Sequence, residues 1–181
     1  MDRDRFEAAF EAHHRRVLAY ALRRLPTEAD AEDAVAEVFA VAWRRVGGMP
    51  QDDALPWLLA IARRIIANQR RGSDRRSRLF LRLHREPQPT PFPGTDNPAL
   101  DALAALPSDD QELLRLLAWE GLTQVEAGVV LGISTNAVAI RLYRARKRFA
   151  ESFAKGSGPS RTLTQAEGQI TGRRSHEEPS P

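Results

Sequence analysis

The sequence predicts an all-α protein of two small helical domains joined by a flexible linker, and three observations carry that prediction. Apolar residues recur at three- and four-residue spacing through most of residues 1–71 and 99–154, whereas no alternating strand pattern occurs. The stretch 87–98, PQPTPFPGTDNP, holds five of the twelve prolines and separates the two helical blocks. Beyond Lys155 the chain has almost no large apolar residue, so 155–181 is expected to be a disordered tail. The expected division is therefore 1–71, a linker at 72–98, 99–154 and the tail.

The first helix is expected over about Arg3–Leu25, with Phe6, Phe10, Val17, Ala21, Leu22 and Leu25 inward and Pro26 as its stop. Thr27 to Asp30 opens the second, where carboxylates suit the positive end of the helix dipole. Val35, Val38, Phe39, Ala42, Trp43 and Val46 form its buried stripe, and Gly47-Gly48-Met49-Pro50 breaks it. Asp52, Asp53 and Pro56 start a third, with Trp57, Leu58, Ile61, Ala62, Ile65 and Ile66 as its apolar face. In the second block, Ser108 to Gln111 has capping-box spacing, and so does Thr123 to Glu126.

Charge is segregated along the chain. Net formal charge is only +3, but residues 28–37 carry five acids and no base, 63–85 carry nine arginines and one acid, and 139–148 carry five bases and no acid. Such a chain can face two partners of opposite sign. Asp30, Asp33 and Glu37 share an outward flank that would repel phosphate and suit a basic protein helix. Arg63, Arg64, Asn68, Gln69, Arg70 and Arg71 mix phosphate-neutralising cations with amides able to meet bases.

The stretch GLTQVEAGVVLGISTNAVAIRLYRARKRF has the requirements of a helix-turn-helix. Gly128 is the small residue at the crossing, Gly132 makes the turn and Val138 pins the second helix, at spacings of four and six. Ser134 caps the second helix, so Thr135, Asn136 and Ala139 lie near its leading end, the part that enters the major groove. Arg141 and Arg144, with Arg146, Lys147 and Arg148, place charge where a phosphate backbone would run.

Other classes fit less well. There are no cysteines, so disulfides and thiolate metal sites are excluded, which suits a reducing cytoplasm. No apolar run approaches a membrane span, and the charged N-terminus has no signal-peptide core. His13 and His14 point to different helix faces with no third ligand at metal-site spacing, and Gly47-Gly48 lacks the lysine of a phosphate loop. No catalytic group, metal or cofactor is expected. The alternative from the same class is a helix-turn-helix regulator independent of polymerase, although residues 1–96 lack the α/β receiver pattern such a regulator would carry.

The combination resembles bacterial RNA polymerase sigma factors of the extracytoplasmic-function class. DAEDAVAEVFAVAWR is similar to the region 2 helix that grips the polymerase clamp, and PWLLAIARRIIANQRR to the helix that handles the −10 element. LPSDDQELLRLLAWEGLTQVEAGVVLGISTNAVAIRLYRARKRF is similar to region 4, which reads the −35 element. The resemblance implies core polymerase binding through Asp30, Asp33, Glu37 and Phe39. It implies −10 contacts from Arg63, Arg64, Asn68, Gln69 and Arg71, and −35 contacts from Ser134, Thr135, Asn136, Ala139, Arg141 and Arg144. It implies that the Gly47–Asp53 loop receives a base turned out of the stack, and that an anti-sigma factor is a further partner. Two departures stand out: Ala34 and Ala36 replace a frequent Leu and Gln, and Ala139 a frequent Lys.

Overall fold

The computed structural model describes the backbone of residues 1–83 and 97–156, with side chains for 1–72 and 97–156. Of the expected linker 72–98, residues 84–96 lie outside the described residues, as does the expected tail from 157 on, whereas 72–83 continue a helix rather than a linker. Seven α-helices and no strand occur among the described residues. They are α1 (Asp2–Leu22), α2 (Glu28–Arg44), α3 (Leu55–Leu83), α4 (Pro98–Ala104), α5 (Ser108–Ala118), α6 (Gln124–Leu131) and α7 (Thr135–Gly156).

Local chemistry sets most boundaries. The Thr27 hydroxyl accepts from the Asp30 N–H at 3.1 Å and starts α2. A single 3-10 turn, Val46–Gly48, follows α2. The Asp53 carboxylate then accepts from the Leu55 N–H at 2.9 Å and starts α3. At α6 the capping box forms in full, with Thr123 and Glu126 each satisfying the other's backbone N–H. The expected box at 108–111 does not form. Pro107 stands at the N-cap of α5, and the Gln111 amide donates instead to the Ala104 and Leu106 carbonyls, closing the α4–α5 turn. α3 runs to Leu83, past the end of its apolar stripe, because arginine is a good helix former and needs no buried face to continue the helix.

α1, α2 and α3 close one bundle around Val17, Val38, Leu55, Leu58 and Leu59, each no more than 1% exposed. α4 to α7 close a second around Leu113, Leu116, Ala127 and Val138. Three residues expected inward are on the surface: Phe10, Leu22 and Trp43 are 40–47% exposed. A three-helix bundle is too thin to bury a full-width apolar stripe on every helix, so the flank of α1 and α2 stays outside.

The two bundles are packed against each other, α3 on α6, and their apolar residues form one continuous cluster. Beside that contact sits a buried polar knot. The Tyr20 hydroxyl donates to Glu112 Oε1 at 2.8 Å. Arg24, with its side chain 3% exposed, reaches Glu112 Oε2 and Glu120 Oε1, both at 3.0 Å. Arg23 also pairs with Glu120, and Arg16 donates to the Glu120 carbonyl at 2.8 Å.

Candidate nucleic-acid interface

The helix-turn-helix is built as its sequence requires. α6 and α7 meet at a bend of 99°, in the range of the motif. Gly132 sits in the left-handed region at φ 69°, and the Ile133 N–H returns to the Gly128 carbonyl at 3.0 Å. A Cβ on Gly128 would lie 2.9 Å from the Ile133 carbonyl oxygen, so only glycine allows this approach. Val138 is fully buried beneath it. Ser134 Oγ accepts from the Ala137 N–H at 3.2 Å, capping α7.

The leading end of α7 is therefore capped and open to solvent. Ser134, Thr135, Asn136, Ala139 and Arg144 are exposed, and Arg141 is half-buried. Tyr143, at 72%, is among the most exposed large side chains and stands one turn after Ala139. With Gln124, Ala139 and Lys147 it lines a shallow groove. Tyr143 is not among the residues expected from sequence at this surface, although its four-residue step from Ala139 was the available signal. Arg148 is a different case: it pairs with the buried Asp110 of α5 and so holds α7 to its bundle.

On α3, Arg64, Asn68 and Arg71 are exposed, and Arg71 donates to the Asn68 amide oxygen. Arg63 is half-buried. Gln69 turns its amide oxygen inward, buried and without a partner among the described residues, while Arg70 donates to the Arg24 carbonyl. Arg63 and Arg141 lie on different bundles, yet each comes within 3.9 Å of the Asp109 carboxylate. The loop that precedes α3 is pinned by Arg5, which donates to the Met49 carbonyl at 2.7 Å, beside a depression of about 230 Å³.

The acidic flank of α2 is present as a surface. Asp30, Asp33 and Glu37 are exposed, and neither Asp33 nor Glu37 makes an ion pair among the described residues. Phe39 is 5% exposed and sits inside an aromatic cluster, its ring centroid 4.8 Å from Phe10 and 6.2 Å from Phe6. Its neighbours Phe10 and Trp43 carry the exposed aromatic surface. Behind the loop, His13 lies 3.7 Å from Asp53 with Nδ1 buried. Burial lowers its pKa, Asp53 opposes that shift, and Arg16 adds to it. Among the described residues no group of three or more His, Asp or Glu could hold a metal, and no single helix is long and apolar enough to cross a membrane.

Comparison with known proteins places both bundles. Residues 9–76 match Sigma-70 region 2, and residues 97–149 match Sigma-70, region 4. RNA polymerase sigma factor CarQ of Myxococcus xanthus is 32% identical over 158 residues, covering 82% of this chain and 88% of that protein. ECF RNA polymerase sigma factor SigF of Caulobacter vibrioides is 32% identical over 147 residues, covering 79% and 82%. The probable RNA polymerase sigma factor RfaY of Xanthomonas campestris is also 32% identical, but this chain spans only 40% of it, and 60% of BldN of Streptomyces coelicolor. Among solved structures, CnrH in complex with the cytosolic domain of CnrY is 26% identical, with a TM-score of 0.55 over 83% of this chain and 88% of that one. The fold is also that of the sigma factor RpoE of Bartonella quintana, solved with the anti-sigma factor NepR, with a TM-score of 0.61 at 23% identity over 82% of this chain and 96% of that one. With region 2 and region 4 in order on one chain, and relatives such as CarQ and SigF matched along most of their length, the chain belongs to the extracytoplasmic-function sigma factors of RNA polymerase.

Proposed function

We propose that the chain binds core RNA polymerase and directs promoter-specific transcription initiation, in the cytoplasm and without catalysis of its own. The observation that carries this reading is the pairing of opposite surfaces on one chain. Asp33 and Glu37 stand exposed on α2 with no ion pair among the described residues, while a capped helix-turn-helix presents a basic helix at the other end. Acids in that position repel phosphate and attract a basic protein helix, so the first bundle has a protein partner as well as DNA.

The division of labour follows. Residues 1–71 grip polymerase through Asp30, Asp33 and Glu37, with Phe39 holding the aromatic surface beside them. Arg63, Arg64, Asn68, Gln69 and Arg71 act at the −10 element. Residues 99–154 act at the −35 element, with Ser134, Thr135, Asn136 and Ala139 toward the bases and Arg141 and Arg144 toward phosphates. Residues 72–98 connect the two, with 72–83 continuing α3, and 155–181 are a tail. An anti-sigma factor is a further partner, a reading supported by the related RpoE, which was solved with the anti-sigma factor NepR.

Reconstitution with core polymerase and a promoter library tests the reading. Initiated transcripts should appear only when the protein is present and should share two separated sequence elements. Duplex binding by the protein with no protein-dependent initiation would favour a polymerase-independent regulator instead.

A further inference from the structure

We propose that Arg5 and His13 of α1 are positioning residues for the −10 element: without touching DNA, they fix the loop between α2 and α3, on which the strand's track along α3 ends. The inference rests on the function proposed above and deepens its assignment of the −10 element.

The track can be followed along α3. Arg64, Asn68 and Arg71 share one stripe with Ala60 and Trp57, at steps of three and four residues. Arg64, Asn68 and Arg71 are exposed, and Ala60 and Trp57 are half-buried. From Arg71 back to Trp57 the stripe is about 21 Å long. Its cations neutralise phosphate at one end only. A strand that continues toward the start of α3 passes Trp57 and meets Gln51, Asp52 and Asp53, all exposed. The two carboxylates repel phosphate, so the strand turns a base edge rather than its backbone to the loop. The shape of the loop therefore decides which base is accepted there.

Packing does not fix that shape. A Cβ at Gly47 or Gly48 would meet nothing within 4 Å. The ties come from α1 instead. Arg5 Nη2 donates to the Met49 carbonyl at 2.7 Å, across 44 residues of sequence. A bond from a charged donor is roughly twice as strong as a neutral one. Arg5 makes no ion pair among the described residues, and the Met49 side chain is buried. His13 Nε2 lies 3.7 Å from Asp53 Oδ1, the same oxygen that accepts from the Leu55 N–H and starts α3. One residue of α1 thus holds the middle of the loop, and the other holds the point where loop becomes helix. Between them, Ala8, Ala9 and Ala12 keep the depression of about 230 Å³ open. Recognition groups on a loop keep their geometry only where supporting contacts lock them. Neither Arg5 nor His13 lies on the stripe itself, so both act through the loop.

The full-length chain is reconstituted with core polymerase and a promoter library randomised at both elements, and the base preference at each position is read from the transcripts. Arg5→Met removes the donor and keeps the bulk, whereas Arg5→Lys keeps a donor. Arg3→Met removes an exposed cation from the same helix as a control. Arg5→Met should weaken discrimination about tenfold at one end of the −10 element, in the range of one lost base contact, and leave the −35 preference as in the parent. Arg5→Lys should recover most of that discrimination, and Arg3→Met should match the parent. His13→Asn should weaken the same positions by a smaller factor. An unchanged −10 preference in Arg5→Met overturns the proposal. So does an equal loss at both elements, which marks a damaged fold rather than a displaced loop. If Arg5→Met loses helicity, His13→Asn decides by the same rule. The parent's transcripts keep the two readings apart: initiation with two selected elements upholds the proposed function whatever the variants do. A parent that never initiates removes that function and this inference together.

Discussion

At Gly128 a single missing Cβ sets the geometry of the motif that reads DNA. Its replacement by Ala places a carbon 2.9 Å from the Ile133 carbonyl oxygen, a backbone atom that cannot swing aside. Gly128→Ala should therefore lower stability by about 1–3 kcal/mol, read as a fall in urea midpoint, and should splay α7 from α6. A midpoint unchanged from the parent would remove Gly128 from the crossing. His13 gives a pH-dependent prediction. Burial lowers its folded-state pKa below the ordinary 6.5, with Arg16 acting the same way and Asp53 opposing. The unfolded chain then binds the proton more readily, so the neutral ring's contribution is complete above pH 6.5 and is lost as pH falls through the folded value. Stability should decline as pH falls below the ordinary 6.5 toward the folded value, and His13→Asn should flatten that decline; equal declines would show that His13 is not its source. Gly128, Gly132 and Val138 were legible in the sequence because one motif demands each residue type at a fixed spacing. The exposure of Phe10 and Trp43 was not legible. Helical spacing says which residues share a face, but the neighbouring helix decides how wide a face is covered.

α2 and α7 are the elements on which the functional reading turns, and each can be tested separately. Glu37→Lys reverses one charge at an exposed position of α2 that makes no ion pair among the described residues, so the fold should survive while core polymerase affinity falls at least severalfold. A pull-down with undiminished recovery would count against the acidic docking face. On α7, Arg141→Ala with Arg144→Ala should weaken duplex binding and reduce the slope of its salt dependence by about 0.9 for each phosphate no longer neutralised. An unchanged slope would take both arginines out of the phosphate footprint. The helices themselves could be read from periodicity, and the Thr123–Glu126 box formed as its spacing required. The similar pattern at Ser108–Gln111 misled because Pro107 shifted the cap by one residue, freeing Gln111 for the carbonyls of the preceding turn. A four-residue pattern does not reveal which tertiary acceptor its last side chain will find. Arg148 shows the same limit, since a buried carboxylate on α5 claims a cation that composition alone would assign to phosphate.

The whole chain joins two bundles that are each near the size where a hydrophobic core alone is marginal. Their apolar residues run into one cluster, and the Arg24 knot crosses the joint. None of this was legible in the sequence, which separates Arg24 from Glu112 and Glu120 by a proline-rich stretch and offers no local signal of their meeting. The consequence is cooperative unfolding. Apolar burial at the α3–α6 contact favours the joined form, and the buried knot fixes its arrangement. The intact chain should therefore melt in one calorimetric transition, with calorimetric and van't Hoff enthalpies in agreement. Glu112→Gln with Glu120→Gln should uncouple the bundles and split that transition in two, because each then unfolds at its own temperature. Ionic strength separates this joint from the exposed Asp109 contacts. Salt screens charges in water over about 10 Å at roughly 0.1 M but acts weakly on buried pairs, so the parent should keep a single transition at high salt. Two transitions in the parent at low salt would show that the bundles fold independently and that the knot does not couple them.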